Sequence, residues 1–496
     1  MIAGPEFLDP AGKSLLDRLG QLGVPLADLT ADSRAVKMGS IFVAYPGTVL
    51  DGRNFIPDAI ARGAAAVIWE RSAFEWNERW QVPNLGVTNL RSRISEIAGH
   101  VYGNPSETLW VAGVTGTNGK TSVSQWIAAA LDGLGRRAAV LGTLGNGLVG
   151  ERVEAKNTTP DPIVLQRLLS EYLRRGARCV AMEVSSHGLH QGRVLGVRFD
   201  VGIFTNLTRD HLDYHGTMEA YAEAKYELFS LRGMTHAVIN VDDAWGQRYA
   251  RRLAGHELRT ITYGTSPDAS LRASRVELSS SGVSFEVECE GERGRVQARV
   301  LGAFNVSNLL AVLGALRAAG IPLAESIAAV DKLQPVPGRL ERVGGGARPL
   351  VVIDYAHTPD ALEKALAALR PAVAAGRRLV CVFGCGGDRD AGKRPLMAQA
   401  AARLADQVVV TSDNPRSEDP HAIIEQIVAG IPGRPAEAIE DRQVAIFSAI
   451  HRARPGDVIL LAGKGHETYQ EIAGVRHPFS DREVAGAALD EWEAHA

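Results

Sequence analysis

The sequence predicts an α/β chain of three domains, and three observations carry that expectation. A glycine loop stands between an apolar run and an amphipathic stretch at 108–134. Strand-like and helix-like segments alternate through the middle and last thirds, and polar residues collect where the strands end. At 496 residues the chain is long enough for two to four cores. The expected division is 1–109, 110–338 and 339–496.

Composition narrows the class. A net charge of −3 with charges evenly scattered excludes a nucleic-acid tail or a membrane-surface helix, so neither partner is expected. The four cysteines, Cys179, Cys289, Cys381 and Cys385, fit neither a redox pair nor a zinc ribbon. The N-terminus lacks a basic-then-apolar leader, and no apolar run reaches membrane-spanning length. The expectation is a soluble cytoplasmic monomer.

The first domain reads as a small α/β module, with strands at Ser40–Ala44 and Ala65–Trp69 and a helix at Ile56–Ala61. Its loops Ala31-Asp-Ser-Arg34 and Gly47-Thr-Val-Leu-Asp-Gly-Arg53 carry hydroxyls, amides and arginines. A diphosphate or sugar could be held there, but loops are commonly polar, and that plainer reading is preferred for these two alone.

The second domain opens on Val111-Ala-Gly-Val-Thr-Gly-Thr-Asn-Gly-Lys-Thr-Ser122. A buried strand precedes the glycines, and Val123, Trp126, Ile127, Ala130, Leu131 and Leu134 follow at helical spacing. Gly116 and Gly119 let backbone N–H groups approach an anion, Lys120 can reach terminal phosphates, and the Thr121 hydroxyl can ligate magnesium. Asn157-Thr-Thr-Pro160, Glu183 with Val184-Ser-Ser-His-Gly-Leu-His-Gln-Gly-Arg193, and Phe204 to His215 then end successive strands of a parallel sheet. Glu183, closing an apolar strand, either holds magnesium beside a nucleotide or caps the next segment. Asp210, His211, Asp213 and His215 form either a metal site, zinc included, or a hydrogen-bonded polar turn.

In the helix read at Met218–Phe229, Lys225 falls on one face with Tyr221, Leu228 and Phe229. Its ammonium either snorkels to solvent or is buried with a lowered pKa. Residues 268–300 alternate as antiparallel strands, a helix follows Phe304-Asn-Val-Ser-Asn308, and Pro335-Val-Pro-Gly338 punctuates a boundary ahead of Arg339.

The third domain repeats the alternation, with strands at 351–354, 379–383, 408–411 and 458–461, and reads as Rossmann-like. Each strand ends in polar residues: Asp354-Tyr-Ala-His357, Gly384 to Asp390, Ser412-Asp-Asn-Pro-Arg416 and Gly463-Lys-Gly-His-Glu467. Four such ends in one sheet suggest a pocket.

Taken together, Thr115-Gly-Thr-Asn-Gly-Lys-Thr121, Glu183-Val-Ser-Ser-His-Gly188, Asp210-His211, Tyr221 with Lys225, Phe304 to Asn308, Gly338-Arg339 and Asp354-Tyr-Ala-His-Thr-Pro359 resemble the Mur ligases. The resemblance spans all three domains. It implies a UDP-sugar-binding first domain, a central P-loop ATPase-like parallel sheet with a small antiparallel sheet, and a Rossmann-like C-terminal domain that binds an amino acid. It also implies ATP-driven amide formation in cell-wall peptidoglycan synthesis through an acyl phosphate, with Mg2+. Lys120, Glu183, His211 and Lys225 would be catalytic, Lys225 as a carbamate. Thr121, Glu183, His211 and that carbamate would surround the metal.

By the same resemblance Gly116, Thr117, Asn118, Gly119, Lys120, Thr121, Ser122, Asn308, Arg339 and Asp354 would contact ATP. Ala31, Ser33, Thr48, Val49, Leu50, Asn157, Thr158, Thr159, Ser185, Gln191 and Arg193 would hold a UDP-N-acetylmuramoyl dipeptide. Asp413-Asn-Pro-Arg416 is similar to the members that add diaminopimelate, with Arg389, Asp413, Asn414, Pro415, Arg416, Gly463 and Glu467 as its contacts. Arg416 would select the extra carboxylate by which diaminopimelate differs from lysine. A lysine-adding relative, folylpolyglutamate synthetase and a non-catalytic nucleotide-binding regulator are the competing readings.

Overall fold

The structure is a computed structural model that describes residues 15–26, 28–47, 50–155, 157–279, 282–433 and 436–495. Three sheets organise it, and a two-stranded hairpin stands beside the third. The first sheet is parallel, in the order β1 (Leu29–Thr30), β2 (Ile41–Ala44), β3 (Ala66–Glu70), β4 (Asn84–Val87). Both faces of β2 are covered, which is why its four residues form an unbroken apolar run. Ile41 and Val43 pack against the helix Leu90–Val101, and Phe42 and Ala44 against the helix Ile56–Ala61.

The central sheet holds eleven strands: β5 (Trp110–Thr115), β6 (Ala138–Gly142), β7 (Gly145–Leu148), β8 (Glu151–Val153), β9 (Cys179–Glu183), β10 (Val201–Phe204), β11 (His236–Asn240), β12 (Arg259–Gly264), β13 (Leu271–Ser279), β14 (Gly282–Cys289) and β15 (Glu292–Ala298). Its spatial order is β15-β14-β13-β12-β11-β10-β5-β9-β6-β7-β8. Strands β11, β10, β5, β9 and β6 are parallel neighbours, and β5 lies between β10 and β9. The antiparallel stretch read at 268–300 is hydrogen-bonded onto this sheet through β12 and β13, so the two form one continuous layer. The opposite edge carries a second antiparallel meander, β6–β8, which the glycines of Gly142-Thr-Leu-Gly-Asn-Gly147 hid from a reading by apolar runs. Helices Lys120–Gly133 and Phe304–Ala318 cover one face, and Pro162–Arg174 covers the other.

The third sheet is β16 (Glu341–Gly344), β17 (Leu350–Asp354), β18 (Leu379–Phe383), β19 (Gln407–Val410), β20 (Glu437–Ala438) and β21 (Val458–Ala462), in the order β16-β17-β21-β18-β19-β20. All its pairings are parallel except that of β16 with β17. Helices Pro359–Leu369 and Lys393–Leu404 pack on one face, and Arg442–His451 and Asp481–His495 on the other, giving a doubly wound layer. Strands β22 (Tyr469–Ile472) and β23 (Val475–Pro478) form the hairpin.

The helix read at Met218–Phe229 is α-helical over Met218–Tyr226 and tightens to a 3-10 turn at Glu227–Ser230. Tyr221, Lys225, Leu228 and Phe229 are all buried there, as the shared face requires. The four cysteines are free and buried. Among the described residues, no helix is long and apolar enough to cross a membrane.

Candidate active site

Strand β5 delivers the chain into the loop 116–119, and the helix Lys120–Gly133 leaves it. The loop needs its glycines. Gly116 has φ +147°, and a Cβ there would fall 1.9 Å from Thr205 Oγ1. Gly119 has φ +87°, and a Cβ would fall 2.5 Å from Asn308 Oδ1. Among the described residues no side chain caps this helix N-terminus, so its N–H groups remain available to an anion. Lys120 Nζ folds over the loop, donating to Gly116 O at 3.0 Å and Thr117 O at 2.9 Å. Burial lowers its pKa, while Glu183 and Asp210 oppose the shift.

Glu183 ends β9, the neighbour of β5, and is 1% exposed. Its Oε2 accepts from Thr121 Oγ1 at 3.1 Å, and its Oε1 accepts from Thr143 N at 2.7 Å. Gly142 makes room for this carboxylate, since a Cβ there would lie 2.3 Å from Glu183 Oε1. From the C-terminal half, Arg339 Nη2 donates to Thr121 Oγ1 at 3.1 Å, with its guanidinium 4.8 Å from the Tyr355 ring centroid. Asp354, which ends β17, accepts from Leu340 N at 2.8 Å, and burial raises its pKa against the opposing charge of Arg339. Asn118, Gly119, Thr121, Asn308, Arg339 and Asp354 line a cavity of about 320 Å³. Thr117 Oγ1 is 3.2 Å from Tyr221 Oη, and Ser122 is buried in the first turn of the helix.

Lys225 does not snorkel. It is 1% exposed, with Nζ donating to Gly116 O at 2.8 Å and lying 4.4 Å from the Tyr221 ring centroid. Burial drives its pKa well below the ordinary lysine value, and the Lys120 charge adds to that.

His211 adopts φ +53°, with Nε2 3.4 Å from Asp210 Oδ2. Burial lowers its pKa to about 4, against the pull of Asp210. Its ring meets His187 edge-on at 4.8 Å, and His187 contacts Tyr214 and His215 in turn. His215 Nε2 lies 3.0 Å from Ser186 Oγ. The zinc alternative for Asp210, His211, Asp213 and His215 is not met: among the described residues, no group of three His, Cys, Asp or Glu side chains converges to hold a metal. His211 packs against the His187 and Tyr221 rings, and His215 meets the Ser186 hydroxyl. Magnesium makes a lighter demand, because it takes one or two carboxylate oxygens together with phosphate oxygens. Thr121 and Glu183 beside the phosphate loop fit that donor set.

Thr159, Ser185, Gln191 and Arg193 form one linked group. Thr159 Oγ1 lies 3.0 Å from Ser185 Oγ, and Arg193 donates to Thr159 O at 2.8 Å and Gln191 Oε1 at 2.6 Å. Thr158 joins the Glu183 network through Thr143, and Asn157 is exposed on the same loop. Ala31 and Leu50 lie on loops of the first sheet, Ser33 begins the 3-10 turn Ser33–Ala35, and none of them makes a hydrogen bond to that group among the described residues; Thr48 and Val49 lie outside the described residues.

At the third sheet, Asn414 Nδ2 donates to Glu467 Oε2 at 2.8 Å, and Arg416 Nη1 donates to Gly387 O at 2.7 Å. Asp413 is buried beside Gly463, where φ is +113° and a Cβ would lie 2.3 Å from Asp413 Oδ2. Pro415 O would lie 1.9 Å from a Cβ at Gly387, so the two loops touch. Arg389 is exposed at the rim.

Four supporting residues escaped the sequence reading. Thr143 and Gly142 sit in the unrecognised meander. Arg442, fully buried, pairs with Asp481 at 2.7 Å and donates to Ser412 O and Ala462 O, fixing the two loops that begin at Asp413 and Gly463. The His466 ring tilts against that of Tyr355 at 5.6 Å, and its buried Nδ1 has no hydrogen-bond partner among the described residues. The GKGHE stretch was visible as a polar strand end, but its individual roles were not.

Three family models match: "Mur ligase family, catalytic domain" over 26–102, "Mur ligase middle domain" over 114–316 and "Mur ligase, glutamate ligase domain" over 338–465. The UDP-N-acetylmuramoyl-L-alanyl-D-glutamate–2,6-diaminopimelate ligase of Chromobacterium violaceum is 52% identical over 475 residues, covering 96% of both chains. Its namesake from Pseudomonas aeruginosa is 52% identical over 472 residues, covering 94% of this chain and 96% of that one. A solved structure of a ligase of the same name is 40% identical, with a TM-score of 0.68 over 94% of this chain and 95% of that one. MurF ligase from Thermotoga maritima, solved in complex with ADP, shares the fold at 19% identity, with a TM-score of 0.66 over 96% of this chain and 100% of that one. The chain belongs to the Mur ligase family.

Proposed function

We propose that this chain is an ADP-forming ligase that joins meso-2,6-diaminopimelate to UDP-N-acetylmuramoyl-L-alanyl-D-glutamate, a step of peptidoglycan assembly carried out in the cytoplasm by a monomer. The reading divides the chain into a UDP-sugar domain at 1–109, an ATP domain at 110–338 and an amino-acid domain at 339–496. The observation that carries it is the 3.0 Å hydrogen bond from Gly463 N to Asp354 O between neighbouring strands β21 and β17. Asp354 belongs with Arg339 and Thr121 on the nucleotide side, and Gly463 belongs with Asp413 and Glu467 on the amino-acid side. Two sets of residues named separately in the sequence thus meet at one seam. The diaminopimelate ligases at about half identity support the choice of acceptor.

A carboxylate is a poor acyl donor because its leaving group is oxide. Transfer of the γ-phosphoryl group to the D-glutamyl carboxylate makes an acyl phosphate, and the amine of diaminopimelate then attacks its carbonyl carbon. The C–N bond forms, the C–O bond to phosphate breaks, and the ammonium gives up two protons overall, one of them retained by the departing phosphate. Positioning and charge neutralisation carry such a reaction. Lys120 and the loop N–H groups hold the nucleotide's phosphates, and Arg339 reaches the same place from the third domain. Thr121 and Glu183 would hold magnesium, with His211 added by the family resemblance, and the ion would supply further charge neutralisation when bound. Lys225, as a neutral amine, is suited to take up carbon dioxide and become an anionic carbamate beside Lys120.

Phosphate release with magnesium-ATP and the UDP-dipeptide, adding meso-diaminopimelate or L-lysine separately, tests the reading. Release with diaminopimelate alone is expected. Release with lysine alone would reassign the acceptor, and release with neither would remove the ligase assignment.

A further inference from the structure

Lys464, in the stretch Gly463-Lys-Gly-His-Glu467, has no part in the chemistry above, yet its side chain is fully buried. Its Nζ donates to Asn414 Oδ1 at 3.0 Å and to Glu467 Oε2 at 2.9 Å. Asn414 Nδ2 donates to the same Oε2 at 2.8 Å, so the three side chains close a triangle. Asn414 Oδ1 also accepts from Glu471 N at 2.9 Å, which ties the triangle to β22. The ring of Tyr469 lies 5.6 Å from the ammonium.

A buried ammonium is retained only with partners that repay its desolvation, and the neighbourhood is acidic. Asp413, Glu467 and Asp481 surround two buried cations, Lys464 and Arg442. Arg442 is committed to Asp481 and to the carbonyls of Ser412 and Ala462. Lys464 is therefore the cation that meets Glu467. Both donors fall on Oε2 of that carboxylate, and Oε1 receives no hydrogen bond among the described residues.

We propose that Lys464 is a positioning residue: it fixes Glu467 so that Oε1 is presented to the far ammonium of the incoming amino acid, and thereby sets preference for a substrate with an amino group at that end. This rests on the reading of the site as one for diaminopimelate. A carboxylate locked by two donors on one oxygen loses little further freedom when it binds, and that preorganisation is the gain Lys464 supplies.

The test compares meso-diaminopimelate with L-2-aminopimelate, which keeps the attacking amine and the far carboxylate but lacks the far amino group. Wild type, Lys464→Met, Lys464→Gln, Glu467→Gln and the double variant Lys464→Met/Glu467→Gln are assayed for phosphate release, with KM for ATP measured alongside. Lys464→Met is expected to lower kcat/KM for diaminopimelate about tenfold or more while changing 2-aminopimelate and the KM for ATP less than about twofold. The double variant should match Glu467→Gln, because Lys464 acts through that carboxylate. It also removes the unpaired buried charge, so it decides the matter even if Lys464→Met fails to fold. Equal losses with both amino acids, or a double variant markedly worse than Glu467→Gln, would overturn the proposal by showing a general structural role. Wild-type protein that releases phosphate with neither amino acid would overturn the ligase reading and this proposal with it. That result is distinct from a wild type that prefers diaminopimelate and a Lys464 variant that keeps the preference.

Discussion

The guanidinium of Arg339 reaches the hydroxyl of Thr121, 218 positions earlier, at 3.1 Å. One residue opens the C-terminal half of the chain and the other sits in the first turn of the helix behind the phosphate loop, so this bond, with that of Asn118 Nδ2 to Asp360 Oδ2 at 3.2 Å, ties the two sides of the cavity. Asp354 and Tyr355 hold the arginine from behind, by charge and by ring contact.

Arg339→Ala is expected to weaken ATP binding about 10- to 100-fold, the size of a lost hydrogen bond involving a charged group at roughly 1.5–3 kcal/mol. Arg339→Lys should recover only part, since a point charge does not reproduce the planar fork stacked on Tyr355. Titration with a non-hydrolysable ATP analogue measures both, and affinities within twofold of wild type would remove Arg339 from the nucleotide site.

Lys225 yields a prediction about carbon dioxide. Carbamate formation consumes a neutral amine, and burial, followed by the Lys120 charge, lowers the pKa of this lysine well below its ordinary value. Protein prepared in bicarbonate should carry the added mass of one carbon dioxide at Lys225, and stripping the buffer should lower activity reversibly. Lys225→Arg cannot form the carbamate and should lose about a hundredfold or more of kcat. An unmodified Lys225 in fully active protein would rule the carbamate out.

Much of this was legible because the fold repeats a simple rule. Strand β18 falls on Leu379–Phe383 as read, and the helix Ile56–Ala61 likewise, because apolar runs bounded by polar turns mark buried parallel strands and their crossovers. Lys225 was legible as an anomaly, a charge on an apolar face, but the sequence left open whether its tip escapes to solvent. Only the contact with Gly116 O, across 109 positions, settles that. Thr143 and Gly142 were not legible, because their strands are short and glycine-rich and their role is to shape the space around Glu183. Arg442 and Lys464 were hidden for a related reason. A buried cation is recognised by its partners, and Asp481 lies 39 positions from Arg442 while Asn414 lies 50 from Lys464.

His466 gives a pH dependence with a definite sign. Burial, followed by the charges of Arg339 and Arg152, lowers its pKa from 6.5 to about 4, while a hydrogen bond to the Thr143 backbone acts in the opposite direction. The folded protein thus holds a neutral ring where the unfolded chain would be protonated. Stability falls as pH drops from about 6.5 to about 4 and levels off below, where both states carry the proton. His211 and His215, also lowered to about 4, add to the same slope. His466→Gln should flatten, without abolishing, the fall of the melting temperature across that window, and an unchanged slope would show that His466 titrates normally.

Arg416 bears on the choice of amino acid. It adopts φ +52°, an uncommon backbone for arginine, and its Nη1 donates to Gly387 O at 2.7 Å with Glu471 Oε2 at 4.0 Å from Nε. These contacts anchor one edge of the guanidinium, and Nη2 donates no hydrogen bond among the described residues. Diaminopimelate brings a carboxylate for that fork, whereas lysine would leave the arginine uncompensated in a partly buried site. Arg416→Ala is therefore expected to lower kcat/KM for diaminopimelate by about 100-fold or more while leaving ATP affinity within about twofold. Arg416→Lys should remain far below wild type, because an ammonium cannot grip a carboxylate with two parallel N–H groups. If Arg416→Ala used diaminopimelate as well as wild type does, the selecting cation would have to be sought elsewhere on the rim, with Arg389 the next to replace.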